Sequence, residues 1–268
     1  MSFNLGDVIV DRVQIGYAEK GDNLLYTLTQ LQDVSVNISA ESTDAVDNQG
    51  NLIKRFWKAK TGELTANNAM INLNVVAAAA GDTSVTVSDG SLTMPKIITA
   101  KQNETKDLEI TLGDTADIVE GSIRVNDFTN NGTSGKKYTQ DTTGEADNTK
   151  FIYADGKVKL PKVENGNFII KFERKVKKDG GAMIVNRGDK FPSNIKLTLK
   201  ALVVNPCEPN VLRGAYIEIP SFQVSPELEI SLTTDGQLQY SGSMQMDYCS
   251  ADKALYRIYY AEDDEEEV

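Results

Sequence analysis

Asp33-Val34-Ser35-Val36-Asn37-Ile38-Ser39-Ala40-Glu41-Ser42 alternates branched apolar residues with polar ones. Side chains of a strand point to opposite faces at period two, so Val34, Val36 and Ile38 share one face and Ser35, Asn37 and Ser39 the other. This is the pattern of a half-buried strand. The same alternation returns at 168–175, 195–204, 215–219, 228–233, 237–248 and 255–261. Turn chemistry separates the runs: Thr234-Asp235-Gly236 reads as one hairpin and Asp155-Gly156 as another, between 151–154 and 157–160. In 237–248, Leu238, Tyr240, Gly242, Met244 and Met246 share a face, and Gln, Ser and Asp residues share the opposite one. An uncharged polar face of this kind fits a solvated sheet, a channel lining or a surface against a neighbour.

One segment breaks the pattern. Asn67 or Asn68 is placed to cap a helix over about residues 69–80, rich in alanine, with Gly81 at its stop. Shorter strands are expected at 84–87 and 108–112. Residues 127–150 carry few apolar anchors and many turn formers, which predicts a polar surface excursion. These readings give a mainly β fold: an antiparallel β-sandwich or partly closed barrel with one helix. Residues 1–261 are expected as one domain, with an insertion at about 113–160 and an acidic, disordered tail at 262–268.

The 268 residues include no histidine and two cysteines, Cys207 and Cys249, neither in a CxxC pair. The commonest general base and metal ligand are therefore missing, and a dense thiolate site is excluded. Loops of the GxxxxGK[ST], GxGxxG and GxSxG types and the HExxH helix are absent, which removes the entry signals of nucleotide hydrolysis, dinucleotide binding, serine hydrolysis and zincin chemistry. No catalytic residue, cofactor or metal is expected. Asp44 to Gly50 lacks the EF-hand register and closing glutamate, so it reads as a hairpin loop.

The net charge is −11, of which Glu262-Asp263-Asp264-Glu265-Glu266-Glu267 supply six. An acidic body disfavours tight binding to phosphate backbones. The sequence contains no run of about 18 apolar residues, so no membrane anchor is read from it. Lys54, Arg55, Lys58 and Lys60 surround Phe56 and Trp57, a basic patch that fits a negative neighbouring surface.

The run from Leu28 through Asp33-Val34-Ser35-Val36-Asn37-Ile38 and Glu41-Ser42-Thr43 to Gly50-Asn51-Leu52, with the returning strand Ile53 to Trp57, resembles a segment of bacteriophage tail tube proteins. The helix after Asn67 falls where such subunits place theirs. Ala215-Tyr216-Ile217-Glu218-Ile219-Pro220-Ser221-Phe222-Gln223-Val224, followed by residues 228–232, is similar to their later strands. The likeness covers residues 24–81 and 191–261; the polar excursion departs from the smaller family members.

The resemblance implies a virion structural protein, made in the host cytoplasm and located in the tail. Its subunits would form homo-hexameric rings, stacked into a conduit for DNA, with sheath, baseplate or tape measure proteins as further partners and DNA met only in passing. Asp33, Glu41, Thr43, Asp44, Asp47 and Asn48 are then the expected lumen-facing residues. Lys54, Arg55, Trp57 and Lys58 are the expected inter-subunit residues. A capsid decoration or other head protein, and a non-catalytic β-sandwich binding carbohydrate or a host surface, are the alternatives.

Overall fold

A computed structural model describes residues 6–29, 31–81, 85–101, 108–128, 134–141, 144–163, 166–227, 229–230, 237–248 and 250–266. The chain opens with β1 (Ile9–Lys20), β2 (Asn23–Leu28), β3 (Leu31–Val46), β4 (Leu52–Asn68), the helix α1 (Leu73–Ala80) and β5 (Val85–Val87). Next come β6 (Thr93–Lys101), β7 (Glu109–Thr111), β8 (Arg124–Phe128), β9 (Ser134–Asp141), β10 (Lys150–Ala154), β11 (Lys157–Lys159) and β12 (Asn167–Lys175). It ends with β13 (Ala182–Ile184), β14 (Asn194–Asn205), β15 (Glu208–Val224), β16 (Leu238–Met244) and β17 (Arg257–Glu266). The fold is mainly β and antiparallel, as the alternation predicts.

Two compact units emerge. The first joins residues 1–85 to 184–268. Its sheet runs in the order β2-β1-β14-β15-β16-β4-β3, with β17 added to β15, and it curls until it is nearly closed. Inward-facing residues fill it: Tyr26, Leu28, Leu64, Leu197, Leu199, Ile219, Phe222, Leu238 and Tyr240 are all buried in one cluster. Helix α1 lays Val75 and Ala79 onto that cluster. The helix begins later than the sequence predicts. Asn68 is the last residue of β4, pairing with Leu31 and Leu238, and Asn72 caps α1 by accepting from the Asn74 N–H at 3.0 Å. Gly81 ends it at φ 104, a left-handed position that glycine tolerates.

Tyr26 and Tyr240 cross this core with their hydroxyls 2.9 Å apart and their rings edge to face. Burial pushes both phenol pKa values up, so the pair is neutral and each hydroxyl depends on the other.

The second unit, Thr86–Met183, contains the region expected as an insertion at 113–160 but is larger and has a core of its own. Its sheet runs β6-β12-β8-β9-β10-β11-β7. Phe168, Ile170 and Phe172 alternate inward from β12 onto Val125, Tyr138, Phe151 and Val158. The Asp155-Gly156 hairpin lies between β10 and β11, both residues at positive φ. Within the expected excursion, β8 and β9 form an antiparallel pair. Thr234-Asp235-Gly236 and Cys249 lie outside the described residues; Cys207 is exposed.

The acidic end also differs from expectation. Residues 262–266 continue β17, where Glu265 and Glu266 pair with Arg213 and Leu212. Arg213, with its side chain only 8% exposed, explains the ordering: its Nε donates to the Glu262 carbonyl at 2.9 Å and its Nη2 to Glu208 at 2.5 Å.

Replacing Tyr240 by Phe strands the Tyr26 hydroxyl in the core and is expected to cost about 1–3 kcal/mol by urea denaturation, whereas the double change Tyr26→Phe, Tyr240→Phe restores most of that loss. Additive losses in the double variant contradict the mutual dependence.

Candidate functional site: an exposed hairpin arm

The β3–β4 hairpin pairs from Leu31 with Asn68 out to Val46 with Leu52. Its root belongs to the core, through Leu64 and Ala66. Beyond the Ser39–Thr61 pair, β4 residues 52–61 are all exposed, and no described strand or helix covers either face of this outer arm. An isolated two-stranded ribbon is marginal in water, yet this one carries large apolar side chains outward. Ile53 is 69% exposed, Trp57 65%, Leu52 55%, Val46 55% and Phe56 52%.

Register sorts the arm's residues. Asp44 lies opposite Arg55 and Ser42 opposite Trp57 on one face; Thr43 lies opposite Phe56 and Ala45 opposite Lys54 on the other. Arg55 grips Asp44 with a two-point contact, Nε to Oδ1 at 2.8 Å and Nη2 to Oδ2 at 2.9 Å. The guanidinium holds the Asp44 carboxyl below its ordinary range. Lys58 Nζ meets Glu41 Oε2 at 2.8 Å. Cations also sit over the aromatic rings: Lys54 is 5.0 Å from the Phe56 centroid and Arg55 5.7 Å from that of Trp57.

The two residue sets predicted from the sequence are therefore cross-strand partners on one arm. Asp44 with Arg55 and Glu41 with Lys58 each join a residue expected in the lumen to one expected between subunits. Asp33 stands apart at the root, in a bulge at φ 50, with its carboxylate 3.4 Å from the Asn67 amide. Eleven residues of strand separate it from Asp44, about 36 Å at 3.3 Å per residue. Over Ser39–Thr61 the three acids Glu41, Asp44 and Asp47 face four bases, Lys54, Arg55, Lys58 and Lys60, so the arm is not electronegative.

A face that is free of cations among the described residues lies elsewhere. Cross-strand rows on β3, β4 and β16 align Asn37 with Glu63 and Ser243, Ser35 with Thr65 and Ser241, and Gln32 with Asn67 and Gln239. Ser39 and Thr61 extend it, their hydroxyls 2.9 Å apart. A shallow groove of about 550 Å³ runs along it, and Glu227 and Glu229 border the same surface. The Gln and Ser alternation of β16 signals this face in the sequence; its continuation onto β3 and β4 depends on register. A second groove, of about 470 Å³, lies where the arm leaves the body, between Ile38, Ala59, Met246, Leu255 and Tyr256 with Lys60 and Lys253. Among the described residues no group of acidic or thiol side chains is arranged to hold a metal ion, and no helix is long and apolar enough to cross a membrane.

Asp47 shapes the arm's tip. Its Oδ1 accepts from the Gln49 and Asn51 N–H groups at 2.9 and 2.7 Å, its Oδ2 from the Asn51 side-chain amide at 2.9 Å, and Gly50 completes the turn at φ 85. Asn48 lies within that turn. The Asn51 side-chain bond, then its backbone bond, lowers the Asp47 pKa. A lowered folded-state pKa means that this stabilisation is complete above the unfolded value and is lost as pH falls through the folded one. In an NMR titration the Gln49 and Asn51 amide shifts are expected to move only below the ordinary aspartate range, and Asp47→Ala abolishes the transition. A midpoint at the ordinary value contradicts the geometry.

A model of the YomU/Tube protein family matches residues 7–255. No curated protein matches the chain at a significant level. The family match spans almost the whole chain, covering all of the second compact unit and most of the first, and agrees with the resemblance carried by residues 24–81 and 191–261. The chain belongs to the YomU/Tube protein family, and its type is that of a phage tube structural protein.

Proposed function

We propose that this protein is the subunit of a phage tail tube, in which copies close into hexameric rings that stack around a DNA conduit. The single observation that carries the reading is the bare arm. Five large apolar side chains on a ribbon without a covering layer need a partner surface, and a repeating assembly provides one on every neighbouring copy. The groove at the arm's root, lined by Ile38, Ala59, Met246, Leu255 and Tyr256, has the matching apolar character. Trp57 and Arg55, stacked on one face, are of the residue types that dominate interface energetics. Lys54 and Lys58 lie on the same docking arm.

The bore is assigned to the cation-free face of β3, β4 and β16. Its hydroxyls and amides offer no fixed positive charge to a phosphate, and Glu63, Glu227 and Glu229 repel one. Asp33, at the root of the same hairpin, lies near this face; Glu41, Thr43, Asp44, Asp47 and Asn48 belong to the arm and serve docking instead. The role is structural: assembly and passive guidance of DNA, with other tail proteins meeting the tube in the virion.

Trp57→Ala, which removes an exposed side chain and leaves the core untouched, is expected to raise the concentration needed for self-association about tenfold or more, the scale of a lost hot spot. Sedimentation velocity reads the effect, and an unchanged thermal melt shows that the fold persists. Wild-type self-association in the Trp57→Ala chain contradicts the docking role of the arm.

A further inference from the structure

The two units share the charge of the chain unequally. Thr86–Met183 holds fifteen acidic and fifteen basic side chains, so the whole net charge of −11 belongs to the other unit. Within Thr86–Met183 five of the fifteen cations are gathered on one sheet face. On β12 the buried Phe168, Ile170 and Phe172 alternate with outward Ile169, Lys171, Glu173 and Lys175. Register carries that outward face onto its neighbours: Lys171 lies opposite Ile97 of β6 and Arg124 of β8, Asn167 opposite Lys101, and Asn126 opposite Lys137 of β9.

Five cations, Lys101, Arg124, Lys137, Lys171 and Lys175, thus share a face with Glu173. Among the described residues none of the five forms an ion pair; Arg124 donates only to the backbone carbonyls of Gly121 and Ile123. By contrast, Lys150 at the start of β10 in the same sheet is matched with Asp141 at 3.1 Å. Like charges directly opposite one another on a sheet are destabilising, so the Lys171–Arg124 pair raises the energy of the isolated unit. An acidic partner relieves that repulsion. Ile97, 61% exposed beside Lys171, adds an apolar contact.

The matching charge is present on every copy of the chain. β17 pairs with β15 alone among the described strands, leaving its outer edge open, and Glu262, Asp263 and Glu265 are exposed along it. Arg213 fixes the acidic end to the body through its bond to the Glu262 carbonyl, so the carboxylates are presented on an ordered strand. DNA is a poor alternative occupant for a chain of charge −11, whose long-range field repels it.

We propose that the basic face of Thr86–Met183, centred on Arg124, Lys137 and Lys171, docks the acidic end of β17 of a second copy. The interface rests on the self-assembling reading above and adds to the apolar contact of the arm a salt-sensitive one between copies.

A charge exchange between two full-length variants tests it. One carries Arg124→Glu and Lys171→Glu; the other carries Glu262→Lys and Asp263→Lys. All four positions are exposed, and thermal melts of both variants check the fold. Each variant alone is expected to need about tenfold more protein than wild type to self-associate at low salt, while an equimolar mixture, which brings opposite charges together across copies, returns to the wild-type concentration. A mixture as weak as its components overturns the contact between copies. So does unchanged self-association of the Arg124→Glu, Lys171→Glu variant, even where that variant has lost binding to polyphosphate, which assigns the face to an external polyanion. Failure of the wild-type chain itself to associate defeats the tube reading, a result distinct from both.

Discussion

A two-stranded ribbon has two faces and no interior, and the outer part of the β3–β4 hairpin is such a ribbon. Its chain supplies cross-strand ion pairs, cations over aromatic rings and an aspartate-bound turn, all of which set the arm's shape. None of these removes Ile53, Phe56 or Trp57 from water. Exposed ion pairs contribute little to stability, so the free energy available at the arm is that of its apolar surface, released only against another molecule. The rest of the first unit can be understood as the mount for this arm. Leu64 and Ala66 anchor its root in the core, the Tyr26–Tyr240 pair closes the interior, and α1 caps the nearly closed sheet.

The same logic separates the roles of surfaces that carry polar residues. The arm mixes three acids with four bases, two of each in matched pairs, which fixes geometry and leaves only a small net positive charge. Among the described residues the β3–β4–β16 face contains hydroxyls, amides and carboxylates without a cation, a composition that hydrates well and adheres poorly to a polyanion. On Thr86–Met183 the five cations of one face form no ion pair among the described residues, which gives that face a reason to seek an acidic surface. In the proposed assembly these three chemistries are matched to three different neighbours: an apolar one, a passing polyanion and an acidic strand.

Much of the fold is visible in the sequence where burial follows hydropathy. The alternations of β3, β12, β14 and β16 place Val36, Ile170, Leu199 and Tyr240 on inward faces, and the Asp155-Gly156 turn follows from its residue types. Strand β1 is silent because its buried positions are the small residues Gly16 and Ala18, while Ile9 and Val10 are exposed. Strand β9 buries Tyr138 among Gly135, Lys136, Lys137, Thr139 and Gln140, a pattern that reads as a loop. The start of α1 is displaced because Asn68 is held by two strands before it can cap. The candidate site was legible in residue type but not in arrangement. Bulges near Asp33 and Glu41 shift the phase of β3, so which acids share a face depends on a register that one strand's alternation does not contain. The order in the acidic end is not legible locally for a similar reason: Arg213, which holds it, is far from it in sequence.

Cryo-electron microscopy of the purified chain at high concentration measures the central claim most directly. The account predicts stacked rings around an open bore, with Trp57 of each arm covered by a neighbouring copy and Glu63 facing the bore. Dispersed monomers with a bare arm at millimolar concentration, or an assembly in which Trp57 stays in solvent, would contradict it.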